Sequence, residues 1–298
     1  MDDPGPSLGS LPLSHLPEQE KAKRAGSFGE VASDYARYRP GPPLKAVDWI
    51  LPERVDRVVD LGAGTGAMSR LLVDRADEVV AIEPDDRMRL VLGREVPGAQ
   101  AVRGRGESIP LPDSSVDVVV ASSSWHWMDP VPTLAEVARV LVPGGTLATV
   151  WSGADPDGAF LVQAQALLTE QATSGVAADP DGPSDPVANL ILGDARRPAP
   201  TLVIPYDAPF DQPEHEVFTW DVALDADELI GMLGTFSWIL TMPEEQRRRV
   251  KAEASRLLEE LLGVQGEVTV DVAFRADTWR TRRHRRPGPI AVGNPPPP

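Results

Sequence analysis

The stretch Val58-Val59-Asp60-Leu61-Gly62-Ala63-Gly64-Thr65-Gly66-Ala67-Met68 decides the fold. Val58 to Leu61 is a short apolar run of the kind that forms a buried strand. Three glycines spaced by single residues end it, and Met68-Ser69-Arg70-Leu71-Leu72-Val73 then follows a helical pattern. Strand, glycine turn and helix are the opening of a doubly wound α/β domain. Glycine lets the backbone turn sharply and lets a ligand press on the main chain. The helix start offers N–H groups to polar ligand atoms. A second apolar run, Val79 to Ile82, ends in Glu83, 21 positions after Gly62. That spacing suits an acid on the neighbouring strand tip holding both hydroxyls of a ribose. These residues point to a nucleoside ligand without saying which.

Outward from this stretch, apolar runs alternate with helical patterns. Strands are expected near 57–61, 78–83, 99–103, 115–121 and 145–151, and helices near 66–75, 85–94 and 131–141. Such alternation implies a largely parallel sheet covered on both faces. Val142-Pro143-Gly144-Gly145 reads as a tight turn feeding the fifth strand. Phe28, Val31, Tyr35 and Tyr38 mark a short helix stopped by Pro40-Gly41-Pro42-Pro43, and a second short helix precedes the first strand. Beyond Trp151, a sixth strand is expected at 216–220, helices at 225–233 and 243–262, and a final strand at 267–274. Four segments result: a disordered tail over 1–26, a ligand-binding core over 27–155, a lid with the remaining strands over 156–279, and a disordered basic and proline-rich tail over 280–298. Within the third, 173–200 is rich in Pro, Gly, Asp and Ala and reads as a mobile insertion. The cluster Arg280 to Arg286 reads as solvated.

Composition narrows the function. A chain of 298 residues with 42% hydrophobic content holds one large domain or a domain with a lid. A net charge of −16 argues against nucleic acid or an anionic membrane as partner. The chain has no cysteine, which excludes disulfides, thiolate catalysis and cysteine-held metals, and its four histidines are scattered. No metal site is expected. No apolar run approaches the ~20 residues of a membrane span, and the acidic, proline-rich start lacks the pattern of a secretory signal. A cytoplasmic protein acting on a small molecule, as monomer or homodimer, is the expectation.

A wider set of landmarks lies in order along the chain: Phe28, Tyr35, Tyr38-Arg39-Pro40, Asp60 to Gly66, Glu83-Pro84, Gly106 to Leu111, Trp125-His126-Trp127 and Leu141 to Gly145. This set resembles the class I S-adenosylmethionine-dependent methyltransferases, specifically the methyltransferase-11-type small-molecule group and its actinobacterial members with a Trp-His-Trp after the fourth strand. The resemblance implies a Rossmann-like, doubly wound, seven-stranded sheet, mostly parallel with the last strand antiparallel, plus a helical lid. It implies S-adenosylmethionine as cofactor, leaving as S-adenosylhomocysteine. By position, Asp60 lies near the methionine end, Gly62, Ala63 and Gly64 give backbone contacts, and Glu83 takes the ribose hydroxyls. Met88 packs on adenine, Gly106 and Glu107 contact its edge, and Ser122 and Ser123 face the transferred methyl group. Arg39 pairs with the methionine carboxylate. One departure stands out: many relatives carry Asp directly before the position of Gly106, and here it is Arg105, which cannot accept a hydrogen bond.

For the acceptor side, Tyr35, Trp125, Trp127 and Trp238 are candidates for an aromatic pocket, and His126 for a general base or hydrogen-bond donor. The glycine turn also satisfies a looser dinucleotide pattern. A nicotinamide-dependent dehydrogenase therefore stays open as an alternative, as does a non-catalytic S-adenosylmethionine-binding module.

Overall fold

The computed structural model describes Gly29 and residues 32–164, 166, 201–235, 237–240, 242–263 and 265–285. The expected tail over 1–26, the insertion over 173–200, Phe28, Val31 and Phe236 lie outside the described residues.

Seven strands form one sheet: β1 (Arg57–Leu61), β2 (Glu78–Ile82), β3 (Ala99–Val102), β4 (Val116–Ser122), β5 (Leu141–Ala154), β6 (Glu214–Leu224) and β7 (Val270–Arg282). Their order is β3-β2-β1-β4-β5-β7-β6. The pairings from β3 through β5 are parallel, whereas β7 runs antiparallel to both β5 and β6. The expected mostly parallel sheet with an antiparallel last strand is therefore present. The strand order reverses between β1 and β4, and ligands of open α/β sheets bind outside the strand ends at such a point.

Side-chain alternation divides the core. Val59, Leu61, Val80, Ile82, Val119, Ala121 and Leu147 face one side, packed by helix α5 (Pro130–Val140) and by Leu202 and Phe210. Val58, Val79, Ala81, Val118, Val120, Ala148 and Val150 face the other. There they meet Val47 and Ile50 of α2 (Leu44–Ile50), Met68 and Leu72 of α3 (Ala67–Leu72) and Leu92 of α4 (Asp86–Glu95). Both faces of the central strands are covered, which is why these strands read as continuous apolar runs.

A shorter helix, α1 (Ala32–Tyr38), precedes α2. The connection from β6 to β7 is helical: α6 (Ala226–Leu233), α7 (Ser237–Leu240) and α8 (Glu244–Leu262). A reciprocal capping box starts α6, with Asp225 accepting from the Glu228 N–H and Glu228 from the Asp225 N–H. Leu229, Met232 and Leu258 close a third apolar cluster with Val272, Phe274 and the ring of Tyr38. The helices of the expected lid thus bear on the N-terminal helix.

Several boundaries move. Helix α3 ends at Leu72 rather than near residue 75. The Val142–Gly145 turn lies inside β5, where Gly144 at φ +86° kinks the strand while its N–H still bonds the Arg283 carbonyl. The largest shift concerns β7, expected at 267–274 and found at Val270–Arg282. Arg280 to Arg282 are therefore sheet residues and not the start of a solvated tail. Arg280 stacks over the Trp49 ring at 4.0 Å and bonds Glu214 at 2.6 and 2.9 Å, and Arg283 bonds the Leu141 carbonyl and Ser114 Oγ.

Candidate functional site

The glycine turn closes on β2 before it reaches the helix. The N–H groups of Gly62 and Ala63 both donate to the Ile82 carbonyl, at 2.8 and 3.0 Å. Gly62, Gly64 and Gly66 all have positive φ, +72°, +57° and +91°, so each position of the repeat needs glycine's backbone freedom. At Gly62 the constraint is also steric, because a Cβ would stand 2.6 Å from Ser124 Cβ. Ser124 belongs there: its hydroxyl donates to the Leu61 carbonyl at 2.6 Å, tying the end of β4 to the end of β1. At Gly64 a Cβ would meet no protein atom within 4 Å, so this backbone faces open space.

Two carboxylates flank the turn. Glu83 is buried, its two oxygens each accepting a backbone N–H at 2.9 Å, from Gly64 and from Asp85. Burial pushes its carboxyl above the usual range, against those two hydrogen bonds. Each oxygen keeps a lone pair beyond the one used, and the group is locked in orientation. Asp60 is fully buried; Oδ2 accepts from Ser69 Oγ at 2.6 Å, while Oδ1 has no hydrogen-bond partner. Burial raises its carboxyl to about 7, the Ser69 hydrogen bonds oppose the rise and the nearby Glu83 charge adds to it.

These groups open on one cavity of about 430 Å³, within the range typical of small-ligand sites. It lies outside the ends of the strands, as the strand order requires. Of the expected ligand residues, Arg39, Asp60, Gly62, Ala63, Gly64, Glu83, Met88, Gly106, Glu107, Ser122 and Ser123 all line it, with Tyr35 and Trp127 from the expected acceptor set. Ser123 takes φ +51°, unusual outside glycine, its N–H donating to Val150 O at 2.7 Å. Local strain of this kind often marks a functional loop.

Two candidates fall elsewhere, and a third has a side chain outside the described residues. Residues Trp125 to Trp127 form a single 3-10 turn, which sends neighbouring side chains different ways. Trp125 is buried in the core among Ile109, Leu134 and Trp151 rather than in the cavity wall. His126 is not among the cavity-lining residues; its Nδ1 accepts from Trp151 Nε1 at 3.3 Å. That bond places the proton of a neutral ring on Nε2. Trp238 lies on α7, its side chain outside the described set.

Other residues join the lining without an expected ligand role: Asp85, Ser124, Met128 and Ser152, with Pro40 to Pro42, and Arg105, the departure from the family pattern, lines it too. Asp85 had a signal in its position before a helix, and it caps α4 by accepting from the Arg87 N–H. The adjacent Arg87 guanidinium holds its carboxyl below the usual range. Ser152 had none; its buried Oγ lacks a partner at the end of β5. Arg105 and Ser108 bridge around Gly106-Glu107, and Gly106 packs so closely that a Cβ would stand 2.6 Å from Met128 Sδ. Glu107 Oε1 accepts from the Asp129 N–H at 2.8 Å. Among the described residues, no three His, Asp or Glu side chains converge as a metal-binding group, and no helix is long and apolar enough to cross a membrane.

Comparison with known proteins agrees with this geometry. Residues 59–149 match a family model described as a methyltransferase domain. An uncharacterized methyltransferase of Mycobacterium tuberculosis is 35% identical over 232 residues, covering 78% of this chain and 85% of its own. The chain belongs to the methyltransferase family. A malonyl-[acyl-carrier protein] O-methyltransferase of Methylococcus capsulatus is 34% identical over a shorter span, 49% of this chain and 55% of its own. The solved structure of a proposed type II methyltransferase from Anaeromyxobacter dehalogenans superposes with a TM-score of 0.50 at 23% identity, covering 83% of this chain and 98% of its own. The resemblance of the sequence to class I S-adenosylmethionine-dependent methyltransferases, and the fold it implied, are thereby borne out.

The cavity of this methyltransferase fits that cofactor in the character of its groups. The partnerless, buried Asp60 Oδ1 suits a cationic donor, the open backbone at Gly64 leaves room for ligand atoms, and the Glu83 carboxylate is pre-oriented between two N–H groups.

Proposed function

We propose that this methyltransferase moves a methyl group from S-adenosylmethionine to a small-molecule acceptor by in-line displacement. The observation that carries the reading is the convergence of Asp60, the Gly62–Gly64 turn and Glu83 on one cavity. Bound there, S-adenosylmethionine supplies a methyl group already activated on a sulfonium. The residues of the chain then have to bind, orient and exclude water. Glu83 takes the two ribose hydroxyls with its outer lone pairs. Asp60 takes the ammonium group and Arg39 the carboxylate, each a charge-assisted contact. Met88 gives an apolar face to the adenine, and Glu107, held by the Asp129 N–H, gives its edge an acceptor in place of the Asp that Arg105 replaces.

Ser122, Ser123 and Ser152 border the cavity at the ends of β4 and β5, with Trp127 and Met128 beside them. They hold the acceptor by hydroxyl contacts and apolar packing. Serine hydroxyls are not bases at neutral pH, and the Nδ1 lone pair of His126 is taken by the Trp151 N–H away from the cavity lining. The acceptor therefore presents a group that is already nucleophilic, a carboxylate or a neutral amine, and catalysis rests on orientation. The similarity to a malonyl-[acyl-carrier protein] O-methyltransferase favours the carboxylate.

Calorimetric titration with S-adenosylhomocysteine and with NAD, followed by turnover of labelled S-adenosylmethionine on a panel of carboxylic acids, acyl thioesters, amines and phenols, tests the reading. Binding of S-adenosylhomocysteine with transfer to a panel member is expected. Binding of NAD alone would establish the dehydrogenase alternative. Cofactor binding with no transfer to any member would favour the non-catalytic module.

A further inference from the structure

The wall of the cavity nearest the chain start is built from α1 and the residues that follow it. Tyr35, Arg39 and Pro40 to Pro42 all line the cavity. This segment does not rest on the core sheet alone; it is seated on α6, almost 200 residues later. The Tyr38 ring lies against the backbone of Gly231, where a Cβ would stand 2.6 Å from three ring atoms. Immediately beyond, Arg39 Nε donates to Thr235 Oγ1 at 2.9 Å.

Thr235 is a directed acceptor. It is fully buried at the end of α6, and its hydroxyl donates to the Met232 carbonyl at 2.6 Å. With the hydroxyl proton committed to Met232, only a lone pair faces Arg39, matching the Nε–H. The guanidinium is also placed over the Tyr35 ring, 5.6 Å from its centroid. A guanidinium is a rigid planar fork, so fixing Nε and the ring stacking fixes the plane of its terminal nitrogens.

We infer that Thr235 is a positioning residue for Arg39, orienting the guanidinium toward the carboxylate end of the ligand in the cofactor cavity. The inference rests on the cofactor reading above. It makes recognition of the amino-acid part depend on the β6–β7 helices, while the ribose contact at Glu83 depends on the core alone.

The test is isothermal titration of wild type, Thr235→Val, Thr235→Ser, Arg39→Met and the Arg39→Met/Thr235→Val double variant. Two ligands are used: S-adenosylhomocysteine, and 5′-methylthioadenosine, which lacks the amino-acid carboxylate. Thr235→Val keeps the shape and removes the hydroxyl. It should weaken S-adenosylhomocysteine about five- to tenfold, the order of one ordinary hydrogen bond, since the lost contact acts on the ligand only through Arg39, and leave 5′-methylthioadenosine within about twofold. Thr235→Ser should restore wild-type affinity, and Thr235→Val should add nothing in the Arg39→Met background. Equal weakening of both ligands, no weakening of either, or Thr235→Ser behaving like Thr235→Val would overturn the inference while leaving the cofactor reading intact. Wild type that binds neither ligand would overturn the cofactor reading and this inference with it.

Discussion

At the scale of single residues, two acids in the same cavity are held in different ways. Glu83 is buried with both oxygens braced by backbone N–H groups, whereas Glu107 is half-buried and braced on one oxygen. Glu83→Ala should cost about ten- to a hundredfold in S-adenosylhomocysteine affinity, the scale of hydrogen bonds to a buried charge. Glu107→Ala should cost less than about threefold; equal losses by calorimetry would refute the ranking. Asp60 predicts a pH dependence. An unfolded chain titrates this carboxyl near 3.8 and the folded chain near about 7. Between those values the folded state holds a proton that the unfolded state has lost, so the Asp60 contribution to stability falls as pH rises through the window. Asp60→Asn should flatten the decline of melting temperature between about pH 5 and about pH 7 relative to wild type. A cationic ligand group favours the ionised form, so S-adenosylhomocysteine affinity should rise through the same window in wild type and lose that rise in Asp60→Asn. Unchanged profiles in both measurements would argue against the role given to Asp60.

At the scale of elements, the turn between β1 and α3 separates folding from binding. Gly62 and Gly64 share a positive φ, but only Gly62 is packed against protein. Gly62→Ala pays for both the left-handed backbone and the overlap with Ser124, about 2–4 kcal/mol together, and should show a lowered urea midpoint. Gly64→Ala carries the backbone term alone, about 1–2 kcal/mol, yet places a methyl group toward the cavity. It should lose ligand affinity out of proportion to stability. Denaturation and titration on the same two variants check the contrast, and equal ratios of the two losses would remove it. The Trp125–Trp127 turn teaches a related lesson. Its position after β4 is legible as a pattern of residue types, but three residues per turn give each side chain its own direction, and Trp125 goes to the core, His126 to Trp151 and Trp127 to the cavity.

At the scale of the whole molecule, the far end of β7 ties distant parts together. Arg280 links it to Glu214 at the start of β6 and to Trp49 in α2. Arg280→Ala should destabilise the fold by about 1–2 kcal/mol, since it removes a stacked cation and its ion pair at once. The expected signature is a lower urea midpoint with an unchanged slope; no shift would mean that the contact is a surface pair of little weight. The extent of β7 escaped the sequence pattern because its second half, Asp277-Thr278-Trp279-Arg280-Thr281-Arg282, mixes polar and charged residues with no apolar alternation. Several of its polar groups still find partners: Asp277 accepts from Arg275 on the same strand and pairs with His215 across the sheet on β6, and the Thr281 hydroxyl donates to the Asp211 carbonyl.

The sequence by itself determined the parts whose causes are local. Apolar runs buried on both faces announced the parallel strands, glycines that must take positive φ announced the turn, and the distance from that turn to Glu83 announced an acid beside it at the cavity. The order of these landmarks was enough to identify the methyltransferase fold. Tertiary structure alone decided what depends on partners far apart in the chain. It decided that His126 turns to Trp151, that the Arg-rich end is a strand, and that Arg39 takes its orientation from Thr235. The physical reason is that a buried polar side chain is directed by whichever group satisfies its hydrogen bond, and when that group is some 200 positions away, residue types and spacing carry no trace of it.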